Sequence, residues 1–176
     1  MRHERVLFST PLIALKESTD GFQFFERKGK DSIAVFLIRK SNLVEKEYEV
    51  LIRQQRLCID NPGLNEEPKL YPCPITGSID GDELPQDAAS REALEEAGFS
   101  IQVVPLGYYI VGTQTNEVCY LFYADVTGRL PSIAKQDGTY FESISKNEWR
   151  PIDYLQECDF SACQIGYLKL KYIFKI

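Results

Sequence analysis

Three glutamates, Glu92, Glu95 and Glu96, lie close together in an alanine-rich stretch that follows Gly77, with Glu83 and Arg91 between. If the stretch is helical, at roughly 100° per residue, the three carboxylates span an arc of about 100° on one face. Oxygen ligands of this kind suit a hard cation such as Mg²⁺, which takes carboxylates, water and substrate phosphate. The alternative is an acidic face in contact with water. Against it, Glu92 and Glu96 form a like-charged i,i+4 pair, which costs an isolated helix roughly 0.2–0.5 kcal/mol. Arg91 can offset Glu95 four residues on, but no basic residue of the stretch is placed to offset Glu92 or Glu96. Chemistry alone leaves metal binding and a solvated face level. A structural calcium site is disfavoured, because no roughly twelve-residue loop of alternating oxygen ligands is present.

The elements around these residues follow from punctuation and periodicity. Pro85 suits the first turn of a helix and Gly98 the left-handed position just past its end, which predicts a helix over 85–97. Ala93, Leu94 and Ala97 are expected to face a core, while Ala88 and Ala89 extend the carboxylate face with little bulk. Strands are expected at 5–15, 22–28, 32–39, 48–56, about 100–111 and about 117–126. Residues 59–69 read as a polar loop, 76–84 as a second loop, and 125–139 as a long mobile one. Trp149 begins a short edge before a helical turn at 152–157, and a C-terminal helix follows with Ser161 as its N-cap. Strands outnumber helices, so the fold class is α+β, with helices packed around a mixed sheet. The aromatic residues Phe24, Phe25, Tyr108 and Tyr109 are expected in the core rather than stacked on a base.

Composition narrows the function classes. The chain has 176 residues, 44% hydrophobic and 26% charged, with a net charge of −6. That describes one globular domain with a small extension, and it disfavours nucleic acid and anionic membranes as partners. No apolar run reaches the length of a membrane span. The N-terminus lacks the pattern of a signal peptide, and the five cysteines form no CxxC motif, so a cytoplasmic location with reduced thiols is expected. The single histidine, His3, disfavours a histidine-centred triad or zinc site.

Residues 77–99 resemble the Nudix box, G-x5-E-x7-R-E-U-x-E-E-x-G-U with U apolar, at every fixed position. Seven fixed residues at average frequencies recur by chance roughly once in 10⁸ starting points. The likeness extends over nearly the whole chain and is closest to the branch that cleaves ADP-ribose and other nucleoside-diphosphate sugars. TPLIALKES, EVLIRQQR and LYPCPITGSIDGDE are similar to that branch's N-terminal strands, its arginine-glutamine-x-arginine strand and its approach to the box. The resemblance implies an α/β/α sandwich, with residues 1–40 an N-terminal β extension packed on or swapped with a catalytic core at 41–176.

It also implies roles. Glu92, Glu95 and Glu96 would be catalytic metal ligands, joined by the backbone carbonyl of Thr76, for two or three Mg²⁺ ions with Mn²⁺ as a substitute. Gly77, Glu83 and Arg91 would support the site, Arg91 by gripping Glu83 or Glu95. Arg56 and Glu117 would contact substrate, Arg56 at a phosphate. Glu142 would be the general base, with Asp137 and Glu148 as competitors. The partners implied are a small-molecule nucleotide and a second copy of the chain, as a homodimer whose N-terminal strands help form the partner's pocket. One departure concerns substrate: VGTQTNE, with Gly112, stands where ADP-ribose enzymes carry a serine-proline-glycine turn. Another nucleotide substrate, such as a dinucleoside polyphosphate or a nucleotide cofactor, and a nucleotide-sensing module without catalysis are therefore the alternatives.

Overall fold

Apolar and β-branched runs fold into two sheets. The structure is a computed structural model that describes residues 4–41, 47–59, 69–134 and 140–175, the side chains of Phe141 and Glu142 excepted. Strands β1 (Arg5–Ser9), β2 (Ile13–Glu17) and β3 (Gln23–Arg27) make a three-stranded antiparallel sheet. The single strand expected over 5–15 is two strands. Pro11 lies between them, and the Thr10 hydroxyl accepts the N–H groups of Leu12 (3.1 Å) and Ile13 (3.0 Å), which turns the chain.

The larger, mixed sheet contains β4 (Ser32–Lys40), β5 (Tyr48–Gln55), β6 (Tyr71–Cys73), β7 (Ile75–Ser78), β8 (Val104–Ile110), β9 (Val118–Asp125) and β10 (Lys146–Pro151). Its order is β10-β5-β4-β9-β8, with β6 on β5 and β7 on β4; β4 and β9 run parallel. Strand β4 is central and buried on both faces, which is why SIAVFLIRK reads as a nearly continuous apolar run. It is hydrogen-bonded in the larger sheet, and the small sheet ends at Arg27. Among the described residues edge strand β8 pairs only with β9, and its register slips between Pro105 and Gly107.

Helices α1 (Pro85–Ala97), α2 (Tyr140–Ile144) and α3 (Ser161–Phe174), with a 3₁₀ turn over Ile152–Gln156, complete the described elements. Alternation along β4 builds two cores. Ile33, Val35 and Leu37 meet Ala88, Ala89, Ala93 and Ala97 of α1, while Ala34, Phe36 and Ile38 meet Ala162, Cys163, Tyr167 and Leu170 of α3. This is the expected α+β, α/β/α arrangement. Ala88 and Ala89 belong to the buried face of α1, not to its carboxylate face, and Leu94 is only half-buried. Small side chains there let the helix lie close on the sheet. Phe160, not Ser161, occupies the N-cap of α3, with no side-chain cap bond. Of the four aromatics expected inside, Phe24 is buried and Tyr109 half-buried, whereas Phe25 and Tyr108 are exposed.

The described part of the segment after β9 is tied to the end of α1 at Ser132. The Ser132 N–H and hydroxyl both donate to the Gly98 carbonyl, at 2.8 and 2.9 Å. No helix among the described residues is long and apolar enough to cross a membrane.

Candidate active site

Helix α1 starts and stops where its sequence dictates. Leu84 is extended, Pro85 opens the helix, and Gly98 adopts φ 76°. The Gly98 N–H reaches the Leu94 carbonyl (2.9 Å) and the Phe99 N–H the Ala93 carbonyl (3.1 Å), so the last turn is closed. Strand β7 pairs with the first half of β4, Thr76 opposite Ala34 and Gly77 opposite Ile33. This lays Gly77 beneath Glu92. A Cβ at position 77 would stand 2.2 Å from the Glu92 carboxyl carbon, so only glycine lets the carboxylate rest against the strand.

Arg91 organises the acidic face. Its Nε and Nη2 donate to the two oxygens of Glu83 at 3.1 and 3.0 Å, a bidentate fork, and Nη2 also donates to the Ser78 carbonyl at 3.0 Å. Its Nη1 donates to Glu92 Oε1 (2.7 Å) and Glu95 Oε2 (3.0 Å) together. The expectation that no basic residue of the helix offsets Glu92 is therefore corrected. Neighbouring residues on a helix do not face each other, but a long guanidinium stem folds back far enough to bridge them. Glu96 is paired from outside the helix. Arg53 Nε of β5 lies 3.2 Å from Glu96 Oε1, and both side chains are largely buried.

The electrostatics differ within this cluster. The hydrogen bonds from Arg91 hold the Glu83 carboxyl below the usual range. Burial pushes Glu92 the other way, above it, and outweighs the same arginine. Arg91 itself is raised, first by its hydrogen bonds to Glu83.

These residues fit a divalent cation in donor chemistry. Oxygens of Glu92 and Glu95 converge on one positively charged nitrogen, which marks a point where a cation is favoured. Among the described residues, no three acidic, cysteine or histidine side chains form a ready metal cluster, because Arg91 and Arg53 stand among the carboxylates. A cation would share these oxygens with the arginines.

The other expected site residues divide. Glu117 is not an exposed strand end. It accepts from Ser32 Oγ at 2.5 Å and pairs with Arg27 Nε at 3.2 Å, while Arg27 Nη1 donates to Ser78 Oγ at 3.2 Å. It thus connects through Ser78 to Arg91. Thr76 Oγ1 accepts from Gln55 Nε2 at 3.1 Å. Arg56 is exposed just past β5. Asp137 and the side chain of Glu142 lie outside the described residues; the backbone of Glu142 sits in α2, directly ahead of β10. Glu148 is engaged by Gln54 (2.8 Å) and Arg150 (2.9 Å). Arg53 and Arg27 were not among the expected residues. Arg53 shares the strand parity of Leu51, which points to the α1 side of the sheet, and that parity was the available signal.

The sequence matches the family model of the NUDIX domain over residues 25–164. Among solved structures, the crystal structure of an ADP compounds hydrolase is similar, with a TM-score of 0.67 at 15% identity, covering 98% of this chain and 92% of that one. No curated protein matches the sequence. With the box residues gathered around Arg91 and the domain match spanning most of its length, the chain belongs to the Nudix family of hydrolases.

Proposed function

We propose that the protein hydrolyses the diphosphate linkage of a nucleoside diphosphate joined to a second group, ADP-ribose or another nucleoside-diphosphate sugar, giving a nucleoside monophosphate and a sugar phosphate. The observation that carries this reading is the convergence of Glu92 and Glu95 on one guanidinium nitrogen, backed by a glycine that has room for no side chain. Family membership supports the bond class, and the likeness to an ADP compounds hydrolase supports the substrate class.

Glu92, Glu95, Glu96 and the Thr76 carbonyl are the groups to hold Mg²⁺, or Mn²⁺ in its place. When bound, such ions neutralise phosphate charge and make water acidic enough to attack at neutral pH. Arg91 fixes the rotamers of Glu92 and Glu95, and Glu83 fixes Arg91 through the two-bond fork. Arg56, exposed past β5, supplies a cation for a substrate phosphate, and Glu117 lines the same side through Arg27 and Ser78. Glu142 takes the proton of the attacking water. A homodimer is supported by the apolar side chains that the N-terminal sheet leaves exposed, among them Phe8 (60%), Leu12 (68%) and Phe25 (53%).

The test is a side-by-side panel with Mg²⁺ and with chelator. ADP-ribose, UDP-glucose, a dinucleoside polyphosphate and NADH are offered at equal concentration. Nucleoside monophosphate release from the first two supports the proposal. Turnover of the polyphosphate or NADH alone replaces the substrate class, and ligand-induced stabilisation without product replaces catalysis with sensing.

A further inference from the structure

Arg53 is the buried charged side chain of the described core, 3% exposed. A cation taken out of water is costly unless it is paired and hydrogen-bonded, so its partners show what it is for. The polar contacts of its guanidinium lead to Glu96 and to Asn147, its own neighbour across the sheet. Nε faces Glu96 Oε1 at 3.2 Å, and Nη1 lies 3.4 Å from the Glu96 carbonyl and 3.4 Å from Asn147 Oδ1. Asn147 in turn donates from Nδ2 to the same Glu96 carbonyl at 2.7 Å. Arg53 and Asn147 are direct cross-strand partners in the β5–β10 ladder. The pair therefore grips Glu96 at both its side chain and its backbone, in the last turn of α1.

We propose that Arg53 and Asn147 are positioning residues that set the Glu96 carboxylate for the divalent cation. The inference rests on the reading of Glu96 as a metal ligand. A guanidinium held in a strand and tied to a cross-strand amide can fix a carboxylate's rotamer; a flexible ammonium in the same place cannot. The same contact seats β10, and with it the preceding α2 that carries Glu142, against the helix that carries the other glutamates. A purely structural ion pair would change melting temperature alone.

The experiment compares wild type, Arg53→Lys and Asn147→Ala by Mn²⁺ binding (electron paramagnetic resonance of the free ion), by kcat and KM in the hydrolysis assay, and by melting in chelator. Glu96→Gln serves as the control. Both variants are expected to bind Mn²⁺ more weakly, about 10-fold or more for Arg53→Lys, the range for partners that orient metal ligands, and to lose kcat with little change in KM. Should Arg53→Lys fail to melt cooperatively, Asn147→Ala, at an exposed position, decides the matter. Variants that match wild type in Mn²⁺ affinity and kcat, or that bind Mn²⁺ more tightly, would overturn the inference while leaving the proposed function standing. A wild type, or a Glu96→Gln control, whose Mn²⁺ binding does not depend on Glu96 would sink the underlying metal reading instead.

Discussion

On α1, three glutamates each find a guanidinium within 3.2 Å, two from Arg91 and one from Arg53. On β1, all five residues are exposed, and Val6 and Phe8 keep more than half of their surface. The acidic face is neutralised by residues of its own chain, supplied from a helix and from the sheet beneath. The N-terminal sheet leaves several apolar side chains, Val6, Phe8 and Phe25 among them, uncovered by the described chain. The difference teaches where each region's stability comes from. The acidic face is neutralised within one copy, whereas the small sheet leaves exposed apolar side chains that we propose a second copy covers.

Four experiments would break or sharpen this contrast. Glu96→Gln should reduce Mg²⁺-dependent hydrolysis on the order of 10³-fold or more, as expected when several kcal/mol of metal stabilisation are lost, with circular dichroism unchanged. Near-normal turnover would remove Glu96 from the metal. Gly77→Ala should cost about 10²-fold in kcat, because the new methyl displaces the Glu92 carboxylate by an ångström or more. An active Gly77→Ala enzyme would show that the close approach is dispensable. The double change Val6→Asp, Phe8→Asp should halve the mass seen by light scattering while the larger sheet still unfolds cooperatively; an unchanged mass argues that the small sheet is not the dimer contact.

The smallest effect separates two glutamates held by one arginine. Glu83, depressed below its ordinary value of 4.5, contributes stability that is present above that value and lost as pH falls through its folded value. Glu92, raised above 4.5, favours the folded chain only while protonated, and that contribution disappears as pH rises through its folded value. At pH 7 in chelator, Glu83→Gln should lower the melting temperature and Glu92→Gln raise it, each by about 2–4 °C per kcal/mol in a chain of this size. Shifts of the same sign would contradict the opposing pull.

How legible this was in the sequence depends on how local the cause is. Helix α1 could be read to the residue, because Pro85 and Gly98 act on their own backbone. Strand β4 was equally plain, since a central strand shows its double burial as an unbroken apolar run. Strands β6 and β7 were not, because they are short, divided by Pro74, and exist through pairing with β5 and β4. The glutamates could be located, and so could the pairing of Arg91 with Glu95, but the counter-charges of Glu92 and Glu96 could not. Arg53 is far from Glu96 in sequence, and the two meet only through the tertiary fold. Arg91 was expected at Glu83 or Glu95, and its reach to Glu92 depends on a rotamer that spacing does not specify. Ser161 failed as a cap because a serine at a helix start marks the region and not the register.

The slipped register on β8 has a consequence for how the molecule behaves among its own kind. A bare outer strand is an invitation for another chain to add to the sheet, and β8 carries Tyr108 and Ile110 in the open. Pro105 offers no N–H there, and Gly107, at φ 103°, twists the ribbon away from flatness. Both features disfavour strand addition from that flank, and with it growth of the sheet into a fibril.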